Sequence, residues 1–360
     1  MDTIIINLRR YISLLLVSFL VINTAACTSL SYYAQSIHGQ LEILKKRESI
    51  DALLARDELP ESISIQLSRV RQIRNFASAE LGLPDNDSYR DYADLERDYV
   101  VWNVFATPDL SLKPLQWCFL IAGCLQYRGY FSEDAARKYA QELERQGYDV
   151  FVGGVAAYST LGWFDDPVLN TMLRWDEAHL AKVIYHELAH QKIYIKDDTE
   201  FNEAFADTVA LIGVQRWLDK FGKPLSLEKF EFKQSRENAF VDLVLNYRDR
   251  LDILYKSSEQ DAAKRTKKAM LLGQMKKDYG HIRADWGDYD AYDAWFNNGL
   301  NNAKLMAVAI YRDYLPGFRN LLTKVNNDLD AFYTLAGQLG HCTAATRRHI
   351  LITGQTQFEC

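Results

Sequence analysis

Glycine and proline are scarce in this chain of 360 residues, at 18 and 7. That scarcity argues against a disordered tract or a repetitive fibre, both of which lean on these residues. No internal repeat or low-complexity tract interrupts the sequence. An excess of positive charge is also missing: Lys and Arg number 42 against 48 Asp and Glu, a formal charge of -6. A mildly acidic chain offers no electrostatic footprint for nucleic acid, so no nucleic-acid partner is expected. The apolar run from Tyr11 to Ile22 falls short of the roughly 20 residues that span a bilayer comfortably. What is present is ordinary globular usage, 48% hydrophobic and 25% charged. The length suffices for one sizeable core, or for a core with helical additions.

The N-terminus has a character of its own. Arg9 and Arg10 precede the apolar run, and Thr24-Ala25-Ala26-Cys27 ends it, the layout of a secretory signal. Small residues directly before a cysteine resemble a bacterial lipobox, in which residues 1–26 are removed and Cys27 becomes the lipidated first residue. Ordinary cleavage and a plain N-terminal membrane anchor are the alternatives. The expected location is the bacterial cell envelope, with a lipid anchor in the membrane and the body facing the periplasm or the exterior. Cys118, Cys124, Cys342 and Cys360 are then left in an oxidising compartment. Of their three pairings, Cys118–Cys124 and Cys342–Cys360 need the least rearrangement of the chain. A zinc site made from all four cysteines and free buried thiols are the competing readings.

Helical and strand signals alternate, then helix takes over. Tyr33, Ile37, Leu41 and Leu44 recur at helical spacing, which predicts a helix over 31–58. A second is expected from Ser62 to Leu81, stopped by Gly82 and Pro84. Tyr99 to Phe105 and Trp117 to Ile121 are rich in strand formers. Ser132 is placed to cap a helix that ends near Gln146 and Gly147, and a short strand at Asp149–Val152 runs on toward Thr160. After residue 221 helix predominates, with a loop or broken helix over 280–299 and a separation of two helices at Pro316-Gly317. The fold class expected is α+β and helix-rich, a small sheet beside an active-site helix and additional long helices. The expected segments after the signal are 27–98, an N-terminal helical region; 99–222, the catalytic core; and 223–360, a helical region completing the cleft.

The chemistry concentrates at residues 186–190, His-Glu-Leu-Ala-His. Histidines four apart on a helix share a face, so His186 and His190 can reach one Zn²⁺ at about 2.0–2.1 Å. Glu187 can approach a water on that metal without ligating it and act as general base. A catalytic zinc takes three protein ligands and keeps one position open. Glu203 is the best third ligand, with Glu200 and Asp207 as rivals. Lys196-Asp197-Asp198 would form the turn between the two helices, and Thr199 would cap the returning one. Asp207, four residues past Glu203, is placed to accept a hydrogen bond from a ligating imidazole.

His186-Glu187-x-x-His190 with Asn202-Glu203-x-x-x-Asp207 resembles the gluzincin peptidases, the thermolysin-like branch of the zincins. A closer resemblance is to a family of bacterial proteins called putative aminopeptidases. Tyr127 to Phe131, the run from Asp149 to Pro167, the two helices just described, Asn301-Asn302-Ala303-Lys304 and the lipoprotein-like start carry it. The resemblance implies a zincin-like core and a zinc peptidase, of aminopeptidase type, acting on peptides. Tyr158, His281 and Tyr311 are candidate donors to the developing oxyanion. Asp165, Asp166 and Glu200 are candidate partners for a substrate amine. Val150 to Thr160 reads either as a sheet edge to which a peptide could add or as a turn packed on the zinc helix. Two other functions stay open: hydrolysis of a non-peptide amide, and a lipid-anchored scaffold with structural zinc.

Overall fold

The computed structural model describes residues 32–119, 123–160, 162, 164–309, 314–355 and 360. The apolar N-terminal run, Cys27 and Tyr311 lie outside the described residues. Helix α1 covers 32–46 and is followed by β1 (Arg47–Ser49), α2 (Ile50–Leu54), α3 (Glu61–Leu81) and β2 (Asp91–Ala93). Next come β3 (Val101–Pro108), β4 (Trp117–Phe119), β5 (Gly123–Leu125), β6 (Arg128–Tyr130), α4 (Glu133–Arg145), β7 (Tyr148–Val155) and β8 (Val168–Leu169). The rest is helical: α5 (Asn170–Leu173), α6 (Glu177–Lys192), α7 (Thr199–Phe221), α8 (Ser226–Lys256), α9 (Asp261–Ala284), α10 (Asp293–Asn297), α11 (Asn302–Ala309), α12 (Leu315–Lys324), α13 (Leu329–His341) and α14 (Ala344–Thr353). The molecule is therefore α+β and helix-rich. Among the described residues no helix is long and apolar enough to cross a membrane.

The first helix breaks where periodicity reads straight through. Arg47–Ser49 leave it to pair antiparallel with Asp91–Ala93, and Ile50 N donates to Arg90 O. Partners so distant in sequence outweigh local helical preference. Pro316 also differs from expectation. It sits in the first turn of α12, where a missing N–H costs nothing, and so begins a helix where a break between two was expected.

The main sheet has the order β6-β3-β7, with both pairings antiparallel. Strand alternation divides its faces. Val104, Ala106, Tyr130 and Val150 pack on Ala136, Ala140 and Leu143 of α4. On the opposite face Phe105 and Phe151 meet Ala303 and Ala307 of α11, while Val101 and Asn103 look into a cavity. One core joins α3, α6, α7 and α12 to α14, with Phe205 stacked on Phe332 at 5.7 Å. Another lies between α8, α9 and the 286–300 segment, where Phe240 stacks on Tyr292 at 4.1 Å and Tyr279 on Phe296 at 3.9 Å.

Candidate metal centre

Two helices and the turn between them build the site. Asp176 caps α6 by accepting from His179 N, and Leu180, Ile184, Tyr185 and Leu188 bury that helix in the core. The turn is locked by Asn202, whose Oδ1 accepts from Ile195 N at 2.7 Å and whose Nδ2 donates to Ile195 O at 2.8 Å. Asp198 caps α7 through Phe201 N; Thr199, expected as the cap, is the first helical residue instead. Both types make good caps. Arg347 of α14 decides between them by pairing with Asp198 Oδ2 at 2.6 Å.

The helices return antiparallel, so His190 and His186 face Glu203 and Asp207. His186 Nε2 lies 3.1 Å from His190 Nε2 and 3.1 Å from Glu203 Oε2. His190 Nε2 is 3.7 Å from Glu203 Oε1. These three residues form a group that could hold a metal ion. Tetrahedral ligands at zinc distances stand about 3.3–3.5 Å from one another, and the observed separations bracket that value. His186 Nδ1 donates to Asp207 Oδ1 at 3.1 Å. Burial opposes a charged His186 ring, yet hydrogen bonds to Asp207 and Glu203 raise its pKa well above the ordinary value. Both carboxyls are largely shielded from solvent; their bonds to histidine nonetheless hold Glu203 and Asp207 below the usual carboxylate range. Two carboxylates converging on one imidazole make a negative surplus that suits a cation.

A cavity of about 550 Å³ opens onto the cluster, lined by His186, Glu187, His190 and Glu203 together with the inner face of the sheet. Tyr158 lines it with its ring against Phe131; burial first, then the charge of Asp166, pushes its phenol up to about 12. Val155, Ala157 and Ser159 line it too, at the end of β7, an edge strand of its sheet. His281 is elsewhere, exposed in the last turn of α9. Neither Asp165, Asp166 nor Glu200 is among the described lining residues. Asp166 is buried and fastens the cavity wall from behind, accepting from Thr160 N, Thr160 Oγ1 and Ser159 Oγ. Burial pushes its carboxyl up to about 6.

Sequence reasoning passed over Tyr127 as a site residue. It lines the cavity with its ring 5.7 Å from Phe105. Burial chiefly, then the charges of Glu203 and Glu187, raise its phenol well above the usual value. The available signal was period-two alternation: Tyr127, Gly129 and Phe131 all face the cavity, while Tyr130 packs toward α4. Disulfides join Cys118 to Cys124 and Cys342 to Cys360. The first crosslinks the β4–β5 hairpin, whose Phe119 and Leu125 also line the cavity.

The family described as "Putative aminopeptidase" matches residues 31–351. The chain belongs to that family. No curated protein and no solved structure matches it. Membership in the putative aminopeptidase family points to a peptidase and to peptide substrates. The matched region takes in the metal cluster, the cavity and both large cores. It also includes Asn301, Asn302 and Lys304, which act as joints: Asn301 Nδ2 donates to Val150 O, and Lys304 Nζ to the carbonyls of Trp295 and Gly299.

Proposed function

We propose that this protein is a zinc-dependent peptidase, of aminopeptidase type, with a zincin-like core. The observation that carries the proposal is the convergence of His186, His190 and Glu203 at near-tetrahedral separations on the wall of a cavity that also contains Glu187. His186, His190 and Glu203 would hold the zinc, which would supply Lewis acidity for activating water and polarising a carbonyl. Glu187 takes the proton from the attacking water and passes it to the leaving amine. Asp207 holds the Nδ1–H of His186, which fixes the tautomer and turns the Nε2 lone pair toward the cluster. Tyr127 donates to the oxyanion as it develops. Asn202 and the Asp198–Arg347 pair keep the helix bearing Glu203 in register.

Zinc analysis of the purified protein after dialysis tests the ligand set. His190→Ala and Glu203→Ala are each expected to lose bound zinc, and Asp207→Asn to bind it about 10–100-fold more weakly. Full zinc occupancy in both ligand variants would refute the assignment. Tyr127→Phe is expected to retain zinc and to lower kcat by about 100-fold, with kcat/KM falling equally, because its bond forms only in the transition state. Unchanged kcat would remove Tyr127 from the mechanism.

A further inference from the structure

The sheet and a set of aromatic rings form much of the cavity wall. In the β6-β3-β7 sheet, Asn103 of β3 pairs with Gly129 on one side and Gly153 on the other; the Phe151 ring lies over Gly153, which leaves Gly129 as the position beside Asn103 that borders the cavity. Gly in a strand interior weakens pairing and often marks a place where another group approaches closely. Gly129 lines the cavity. A Cβ there would stand 3.1 Å from Val101 Cγ1 and 3.2 Å from Asn103 Oδ1, so these two side chains must give slightly, and a larger residue at 129 would take up cavity space.

Aromatic rings wall that space. Tyr32 stacks on Phe119 at 5.4 Å, and Phe131 meets Tyr158 edge-on at 5.5 Å. Both pairs are braced from outside the cavity. The Arg128 guanidinium lies 4.1 Å from the Tyr32 ring centroid, and α1 presses on Phe131 so closely that a Cβ on Gly39 would fall 2.1 Å from its ring. The ionisable groups of the metal cluster and Glu187, on α6 and α7, line the same cavity. The rings and Gly129 thus share one cavity with the site where the bond would be cut, with Ser36, Asn103 and Ser159 as polar neighbours in its wall.

Resting on the peptidase reading above, we propose that Gly129 and the rings of Tyr32, Phe119, Phe131 and Tyr158 form a specificity pocket for a bulky apolar side chain, aromatic or long aliphatic, on a residue flanking the cleaved bond. Burying such a side chain in place of a methyl group favours the larger substrate by at least about 10-fold.

The test uses the zinc-loaded full chain and two readouts. The first is kcat/KM on peptides identical except for Phe, Leu or Ala beside the cleaved bond, varied one side at a time. The second is calorimetric binding of phenylalanine hydroxamate against alanine hydroxamate, which needs no turnover. Wild-type protein should favour Phe and Leu over Ala by at least about 10-fold in kcat/KM, and the phenylalanine hydroxamate over the alanine one by a similar factor. Gly129→Leu should erase these preferences with zinc content unchanged, and Phe131→Ala should weaken them even if Gly129→Leu does not fold. If no peptide is cleaved, the peptidase reading fails and the hydroxamates still decide the pocket. Equal binding of the two probes, binding of neither, or a wild-type preference surviving in both variants would overturn it.

Discussion

Glu187→Gln is expected to lower kcat by about 10²–10⁴-fold while zinc content and thermal stability stay at wild-type levels. Glu187 lines the same cavity as His186, His190 and Glu203, but the group that could hold the metal does not include it. One residue after His186, it stands about 100° further round α6, as a base beside a held metal would. Glutamine preserves the shape and a polar tip, yet its amide cannot take a proton from water. The loss should therefore fall on kcat and kcat/KM together, since a base acts in the transition state and contributes little to holding the ground state. The variant also separates three roles by a steady-state assay and a zinc analysis on one preparation. A structural metal site is closed and needs no base, so unchanged turnover would mean that this metal does no chemistry. Loss of zinc along with activity would instead place Glu187 among the ligands.

Local signals made much of this centre legible, and distant contacts hid the remainder. The four-residue spacing of His186 and His190 is helix geometry, and so is that of Glu203 and Asp207. The short segment between the two pairs forces a return helix, and that return brings the four side chains together. Helix α3 and the Ser132 cap of α4 were readable for the same reason, because their determinants lie within a few residues. Reading failed where the partner lies far along the chain. The strand at Arg47–Ser49 exists because of Asp91–Ala93, and Asp198 is chosen over Thr199 as cap because Arg347 reaches it from the other end of the sequence. Tyr127 was hidden by the brevity of β6, which gives alternation only three residues to show itself. His281 was singled out by residue type alone, and the buried residues near it, Met275 and Tyr279, belong to a different core.

Lys268→Met is expected to destabilise the protein by about 3 kcal/mol, the lower end of what breaking a buried ion pair costs when one partner is removed. Lys268 of α9 is largely buried, and its Nζ donates to Asp109 O and Asp109 Oδ1 and to Asp149 Oδ2 at 2.7–2.9 Å. Asp109 opens the turn after β3, and Asp149 lies in β7, so this ammonium, together with Arg265 on Asp109, ties the helical pair α8–α9 to the far end of the sheet. Asn302 completes the joint. Its N–H donates to Asp149 Oδ2, and its Nδ2 lies within 3.2 Å of the carbonyl oxygens of Pro108, Asp109 and Ser111. Without the ammonium, two carboxylates face each other with less compensation. Asp109 retains Arg265 and Asp149 retains the Asn302 N–H, which is why the lower end of the range applies. Methionine keeps the length and apolar stem of the side chain, so lost packing contributes little. The midpoint of thermal unfolding should drop by about 4 °C. Adding Asp149→Asn should recover part of the loss, since groups in one network are coupled. The two carboxylates lie at the opposite end of β3 and β7 from the cavity-lining Val101 and Val155, so kcat/KM measured well below the midpoint should change little. An unchanged midpoint in Lys268→Met would show that this ammonium contributes nothing to holding the helical pair on the sheet.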